Sequence, residues 1–176
     1  CSQWHGRVSF GTLDRATRVC GPVLCGTVLC RPVRYRVPVA VDPTSNHPCL
    51  SRVRAMALAY PDATEKISHG RPTFRTANVF VYFGGSVKGG DDFDLSIVVK
   101  CESAEEQRAC ESEPRYFHPA YLGPAGWVGF DLSDAENSKA GEDIWAEAAE
   151  LIDCSYRVTA PKRAVARLDA GEGPTL

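Results

Sequence analysis

The sequence predicts an α+β fold of two layers, an antiparallel β-sheet with helices on one face. Three observations carry this expectation. Over residues 43–163 the apolar pattern runs helix, three or four strands, helix, one or two strands, helix. The connections are short, and a parallel crossover needs about a dozen residues or more, so most strands must pair antiparallel. A sheet covered on one face by helices then buries the apolar side of both kinds of element.

Taken in order, residues 42–47 supply helix-capping side chains, and Pro48 suits a first helical turn. Leu50, Val53, Ala57 and Tyr60 follow at helical spacing on one face, with Arg52 and Arg54 off it. Pro61 disfavours helix at the residue before it and ends the element. Residues 65–83 read as three short β-segments, separated by a Gly70-Arg71-Pro72 turn and an Ala77-Asn78 turn. Residues 79–83 are apolar on both faces, as in a central strand, whereas Thr73, Arg75 and Thr76 leave one face polar around Phe74.

Residues 84–90, Gly-Gly-Ser-Val-Lys-Gly-Gly, read as a flexible hairpin tip. They lack the closing Gly-Lys-Ser/Thr of a phosphate-binding loop and lead into a strand rather than a helix. In that strand Phe93, Leu95, Ile97 and Val99 alternate with Asp94, Ser96, Val98 and Lys100. Ser103 and Glu106 form a capping box that opens a helix to about residue 112. Residues 114–126 are aromatic and loop-like, and Val128, Phe130 and Leu132 share one face of the next strand. The last helix spans about residues 141–156, with Ile144, Ala148, Leu151, Ile152 and Ser155 in one stripe. Glu142 and Asp143 suit the dipole at its start. Beyond Pro161-Lys162 no pattern is visible, so residues 164–176 are expected to form a flexible tail.

The hydrophobic share of 44% and charged share of 24% are those of a soluble globular protein. No apolar run approaches the roughly 20 residues that cross a bilayer, so no membrane association is expected. The net charge of -2 is uneven. Residues 1–36 hold six arginines, no lysine and one acid, Asp14, a sum of +5 that leaves -7 for residues 37–176. The chain begins at Cys1, and residues 1–42 are expected to be an arm outside the domain, disordered or translated from upstream of the true start. The arm carries Cys20, Cys25 and Cys30 in a C-x4-C-x4-C spacing, unlike the C-x2-C pairs that bring thiolates together on a metal, so no metal site is expected. Cys49, Cys101, Cys110 and Cys154 lie singly within helix- and strand-like patterns, which suits reduced, mostly buried thiols and a cytoplasmic location.

Several segments stand in a recognisable order. They are Tyr60-Pro-Asp-Ala-Thr-Glu-Lys66, His69-Gly-Arg-Pro-Thr-Phe-Arg75, Val79-Phe-Val-Tyr82 and Leu95-Ser-Ile-Val-Val-Lys100. Phe117-His-Pro-Ala-Tyr-Leu-Gly123, Gly126-Trp-Val-Gly-Phe-Asp-Leu132 and Leu151-Ile-Asp-Cys-Ser-Tyr156 follow, with Ala160-Pro-Lys162. On these pieces residues 48–163 resemble the MmcQ/YjbR family. The resemblance implies a two-layer α+β fold, related to secretion-chaperone-like and double-wing architectures, and a DNA-binding role.

A nucleic-acid reader neutralises phosphates with a basic stripe. Lys66, His69, Arg71, Arg75, Lys100 and Lys162 are the candidate contacts, with Arg115 a further cation. Arg71 and Arg75 lie where a hairpin would reach a groove as a wing. Tyr116, Phe117, Tyr121 and Trp127 are candidate stacking residues. The charge of -7 and two glutamate-rich helices oppose phosphate, so DNA contact is expected to be weak and generic.

A chaperone-like protein-interaction module without catalysis is the alternative, with a protein as partner. A second alternative is an enzyme, since some relatives carry a phosphoribosylglycinamide formyltransferase label. Asn46-His47-Pro48-Cys49-Leu50 echoes the histidine segment of that chemistry, but at a helix start and without a parallel βαβ framework. His69, His118 and the cysteines have no assignable partner in the sequence, so neither catalytic residues nor a cofactor are expected.

Overall fold

A computed structural model describes residues 47–136 and 141–174. The chain divides into Cys1–Tyr35 and Arg36–Leu176, and every described residue belongs to the second unit. The expectation for residues 1–42 falls outside the described residues.

The elements are α1 (Pro48–Leu58), β1 (Thr64–Ser68), β2 (Arg71–Arg75), β3 (Val79–Ser86), β4 (Asp92–Lys100), α2 (Ala104–Glu111), β5 (Tyr116–Phe117), β6 (Trp127–Asp131), α3 (Gly141–Thr159) and α4 (Lys162–Asp169). A single 3-10 turn, Gly123–Ala125, precedes β6. The sheet order is β1-β2-β3-β4-β6-β5, and each neighbouring pair is antiparallel. The fold is α+β, as the pattern predicts.

Local chemistry accounts for the helix ends. His47 Nδ1 accepts the Cys49 amide hydrogen at 3.3 Å, and Pro48 occupies the first turn, where its missing N–H costs nothing. Ser103 Oγ accepts from Glu106 N–H at 3.1 Å while the Glu106 carboxylate reaches back to Glu102 N–H at 2.6 Å, close to a capping box. The buried stripe of α1 is Leu50, Val53 and Ala57, and that of α3 includes Ile144, Ala148, Ile152 and Tyr156. Both pack against Phe74, Val81, Phe83, Ile97, Val99, Val128 and Phe130, which share one sheet face. Tyr60, Phe80 and Tyr156 form an aromatic knot in this layer, with Tyr60 and Tyr156 centroids 4.6 Å apart.

Four features depart from expectation. The β1–β2 turn is His69-Gly70, closed by the Ser68↔Arg71 pair, so Arg71 and Pro72 belong to β2 rather than to the turn. Both turn residues have positive φ, 51° and 75°, the backbone that joins two strands in two residues. Second, β3 is bulged: its pairing steps from Phe74↔Val81 to Arg75↔Val79, leaving Phe80 as an extra residue. Phe80 and Val81 therefore both face the helices.

Third, Gly84, Gly85 and Ser86 continue β3, and the hairpin tip is confined to residues 87–91. Fourth, the expected flexible tail contains α4. Its Ala164 and Leu168 are buried one helical turn apart. The helix is tied down by Arg167 to Asp62 at 2.9 Å and by Asp169 to Arg157 at 2.7 Å. Eight residues with one short stripe are too few for a periodic signal, and the partners that hold them lie far away in sequence.

Candidate functional site

Strand register decides which side chains share the second sheet face. Lys66 pairs with Thr73, Thr73 with Tyr82, Tyr82 with Val98 and Val98 with Gly129. Directly opposed residues lie on the same side, as do alternate residues of one strand. Lys66, Arg71, Arg75, Tyr82, Lys100 and Trp127 therefore project from the face turned away from α1 and α3. Three strands, β1, β2 and β4, thus bring four of the six sequence-predicted residues together.

A proline shapes this face. The β2–β3 ladder ends at Thr73↔Tyr82, because the next residue, Pro72, has no N–H to offer β3. Beyond that rung lies a cavity of about 520 Å³ between the His69-Gly70 turn, the end of β3 and residues 119–122. His69 and Arg71 both line it. The Arg71 guanidinium lies over Gly84, where a Cβ would collide with it, and donates through Nη1 to Asp94 Oδ1 at 3.2 Å. Gly84 has a φ of 78°, a backbone that favours glycine, and its missing side chain leaves the guanidinium room to lie there.

Residues 117–123 fold across the far side of the cavity. Phe117 packs over Gly85 and Gly129, whose absent side chains leave room for the ring, and stacks on Phe93 at 4.1 Å. Ala120 N–H donates to Ser86 C=O at 2.7 Å, and Gln107 Nε2 donates to Gly123 C=O at 2.9 Å. The expected alternation in β4 breaks at one residue here, since Phe93 joins Phe117 whereas Leu95, Ile97 and Val99 stay with the helix layer.

A second hollow of about 480 Å³ adjoins the first through Tyr82 and is lined by Arg75, Val79, Lys100, Trp127, Val158 and Thr159, among others. Tyr82 and Trp127 meet edge to face at 5.3 Å. The Lys100 ammonium donates to the Ala125 carbonyl, Arg75 Nη2 donates to the Ala77 carbonyl at 2.9 Å, and Lys66 is exposed. The C-terminal end of α3 reaches the rim of this hollow at Val158 and Thr159.

The remaining sequence candidates lie elsewhere. Lys162 starts α4 and lines neither hollow. Arg115 borders an acidic hollow with Glu113, Asp131, Asp134 and Glu147. Tyr116 lies on the helix side, against Phe130, and its hydroxyl donates to Glu147 at 2.5 Å. Phe117 is a packing residue, so of the four candidate stacking rings only Tyr121 and Trp127 reach the site.

Tyr82 escapes sequence reasoning because the bulge hides its alternation within an apolar run. The Gly84-Gly85 pair was a usable signal, since glycines inside a strand mark a close approach.

Burial pushes the thiols of Cys49 and Cys101 up to about 12, so neither is a nucleophile at neutral pH. The His118 ring nitrogen meets Glu111 at 2.7 Å, outside both hollows. Among the described residues no group of three or more His, Cys, Asp or Glu is arranged to hold a metal ion, and no helix is long and apolar enough to cross a membrane.

An antiparallel α+β domain with a basic and aromatic sheet face is the class these features define. The chain matches the YjbR family over residues 58–158, more than half of its 176 residues, and belongs to that family. The match includes Lys66, His69, Arg71, Arg75 and Lys100, and stops short of Lys162. No curated protein and no solved structure matches the chain.

Proposed function

We propose that the protein binds DNA weakly and without sequence preference, through phosphate contacts on the sheet face opposite α1 and α3. The supporting observation is the convergence of Lys66, Arg71, Arg75 and Lys100 on that face around Tyr82 and Trp127. Asp94 offsets part of the charge of Arg71. The other three cations have no carboxylate partner among the described residues. A local cluster of cations lets a chain of net negative charge present a positive patch.

The test is a titration of the full chain with duplex DNA across a salt series. Each phosphate contact contributes about one unit to the slope of log affinity against log salt. Lys66→Ala with Arg75→Ala is expected to weaken binding on every sequence and lower that slope by about two. Absence of binding at low salt, or affinity untouched by the double variant, removes the proposal. A protein partner is the second reading, favoured by the edge strand β1, whose Ile67 is 46% exposed. One defined partner, lost in Ile67→Lys, would support that reading instead.

A further inference from the structure

The cavity beside β3 has features that contact with a phosphate chain does not require. Tyr121 stands on its rim, 91% exposed, and meets no other ring among the described residues. Its backbone is strained. Leu122 N–H donates to Ala120 C=O at 2.8 Å, spanning Tyr121 alone, and Tyr121 has a φ of 64°. This is the rarer, strained hand of γ-turn, and a bulky side chain there is an outlier.

The surroundings hold that strain in place. Gly123 N–H donates to Pro119 C=O at 2.9 Å, closing the turn, and Ala120 is bonded to Ser86 across the cavity mouth. The His118 ring packs against Gly123, in the space a side chain there would fill. Strain that is over-determined in this way clusters at ligand clamps. Across the cavity, Arg71 commits one of its five N–H donors to Asp94, and among the described residues the others have no hydrogen-bond acceptor. A ring on one rim and a guanidinium on the other suit a flat molecule that carries an anion. The volume of about 520 Å³ lies within the usual range of small-molecule sites, roughly 300–1,000 Å³.

We propose that this cavity holds a single nucleotide unit, with its base against Tyr121 and its phosphate on Arg71. Tyr82 provides the inner apolar wall, and Ser68 and His69 lie at the polar edge. The assignment deepens the nucleic-acid reading above and rests on it for the choice of a nucleotide among planar anions. The unit is either a free mononucleotide or one residue of a bound strand.

Isothermal titration of the full chain with adenosine 5′-monophosphate, adenosine, inorganic phosphate and an oligodeoxyadenylate separates these sources. Tyr121→Gly removes the ring while suiting the positive φ, so the fold is retained. It is expected to weaken the nucleotide about 5- to 150-fold, the range of base–aromatic stacking. Arg71→Gln is expected to weaken the monophosphate and leave adenosine unchanged. An effect of Tyr121→Gly on the strand but not on the monophosphate places the unit within a strand.

If the monophosphate does not bind and strand affinity is indifferent to Tyr121→Gly yet sensitive to Lys66→Ala with Arg75→Ala, the cavity assignment is overturned and the DNA reading stands. If the monophosphate binds with these sensitivities and no strand does, the cavity assignment stands and the DNA reading is overturned.

Discussion

Ser155 holds Lys100 in place from the opposite side of the sheet. Its hydroxyl accepts the Lys100 amide hydrogen at 2.9 Å and donates to the Phe80 carbonyl at 2.5 Å. The β3–β4 ladder has its last rung at Val81↔Val99, so a helix hydroxyl fills the place of the next one. The fully buried residue thereby links α3, the bulge of β3 and the strand end that carries a site lysine.

Ser155→Ala leaves the Lys100 N–H and the Phe80 carbonyl without this partner in the interior. An unsatisfied buried group costs about 1–3 kcal/mol, and urea denaturation is expected to show a loss in that range. A variant as stable as the parent would show that the hydroxyl is dispensable to the rung.

Gly84→Ala meets two obstacles, the positive φ and the Arg71 guanidinium. The backbone alone costs about 1–2 kcal/mol for an L-residue. In an Arg71→Ala background only that part remains, so the two substitutions are expected to couple by about 0.5 kcal/mol or more in a double-mutant cycle. Strict additivity in the denaturation data would mean that the guanidinium does not lie over Gly84 in solution.

Alkaline pH is expected to destabilise the fold. Burial raises Cys49 and Cys101 to about 12, and it also raises Tyr60 and Tyr116, whose hydroxyls adjoin Asp153 and Glu147. A thiol in the unfolded chain ionises near about 8.5. The folded state keeps its proton to higher pH, so stability from these thiols is complete below about 8.5. It falls as pH rises toward about 12. Urea midpoints measured across this window should decline, and the decline should be shallower in Cys49→Ala. At neutral pH a maleimide should label exposed Cys154 well before Cys49, as peptide mapping would show.

What the sequence reveals depends on whether the signal is local. The stripes of α1 and α3 repeat with helical period, and the Ser103 cap lies within three residues of its partner, so both are legible. The polar side of β2 is legible in part for the same reason, since Thr73 and Arg75 flank Phe74, whereas Arg71 falls within the turn the sequence suggests. Lys66 joins them only through the register set by the His69-Gly70 turn, and a turn placed one residue later blurs that alignment. Tyr121 reaches the cavity through a loop held by Ser86, Gln107 and Gly123, contacts that no spacing rule encodes. Lys162 satisfies the charge criterion but not the geometric one. The structure of α4 depends on ion pairs to Asp62 and Arg157, which are equally remote in sequence.

The extra residue in β3 acts as a change of phase. Strict alternation from Val79 would turn Val81 and Phe83 toward the cations and send Tyr82 into the helix layer. By giving Phe80 and Val81 to the same side, the bulge inverts everything after it, so Tyr82 becomes the wall shared by both hollows. The chemical identity of the outer face is thus set at one rung, where the strand skips a beat. Lengthening or shortening residues 79–81 by one should exchange the dry and the wet sides of all that follows in β3.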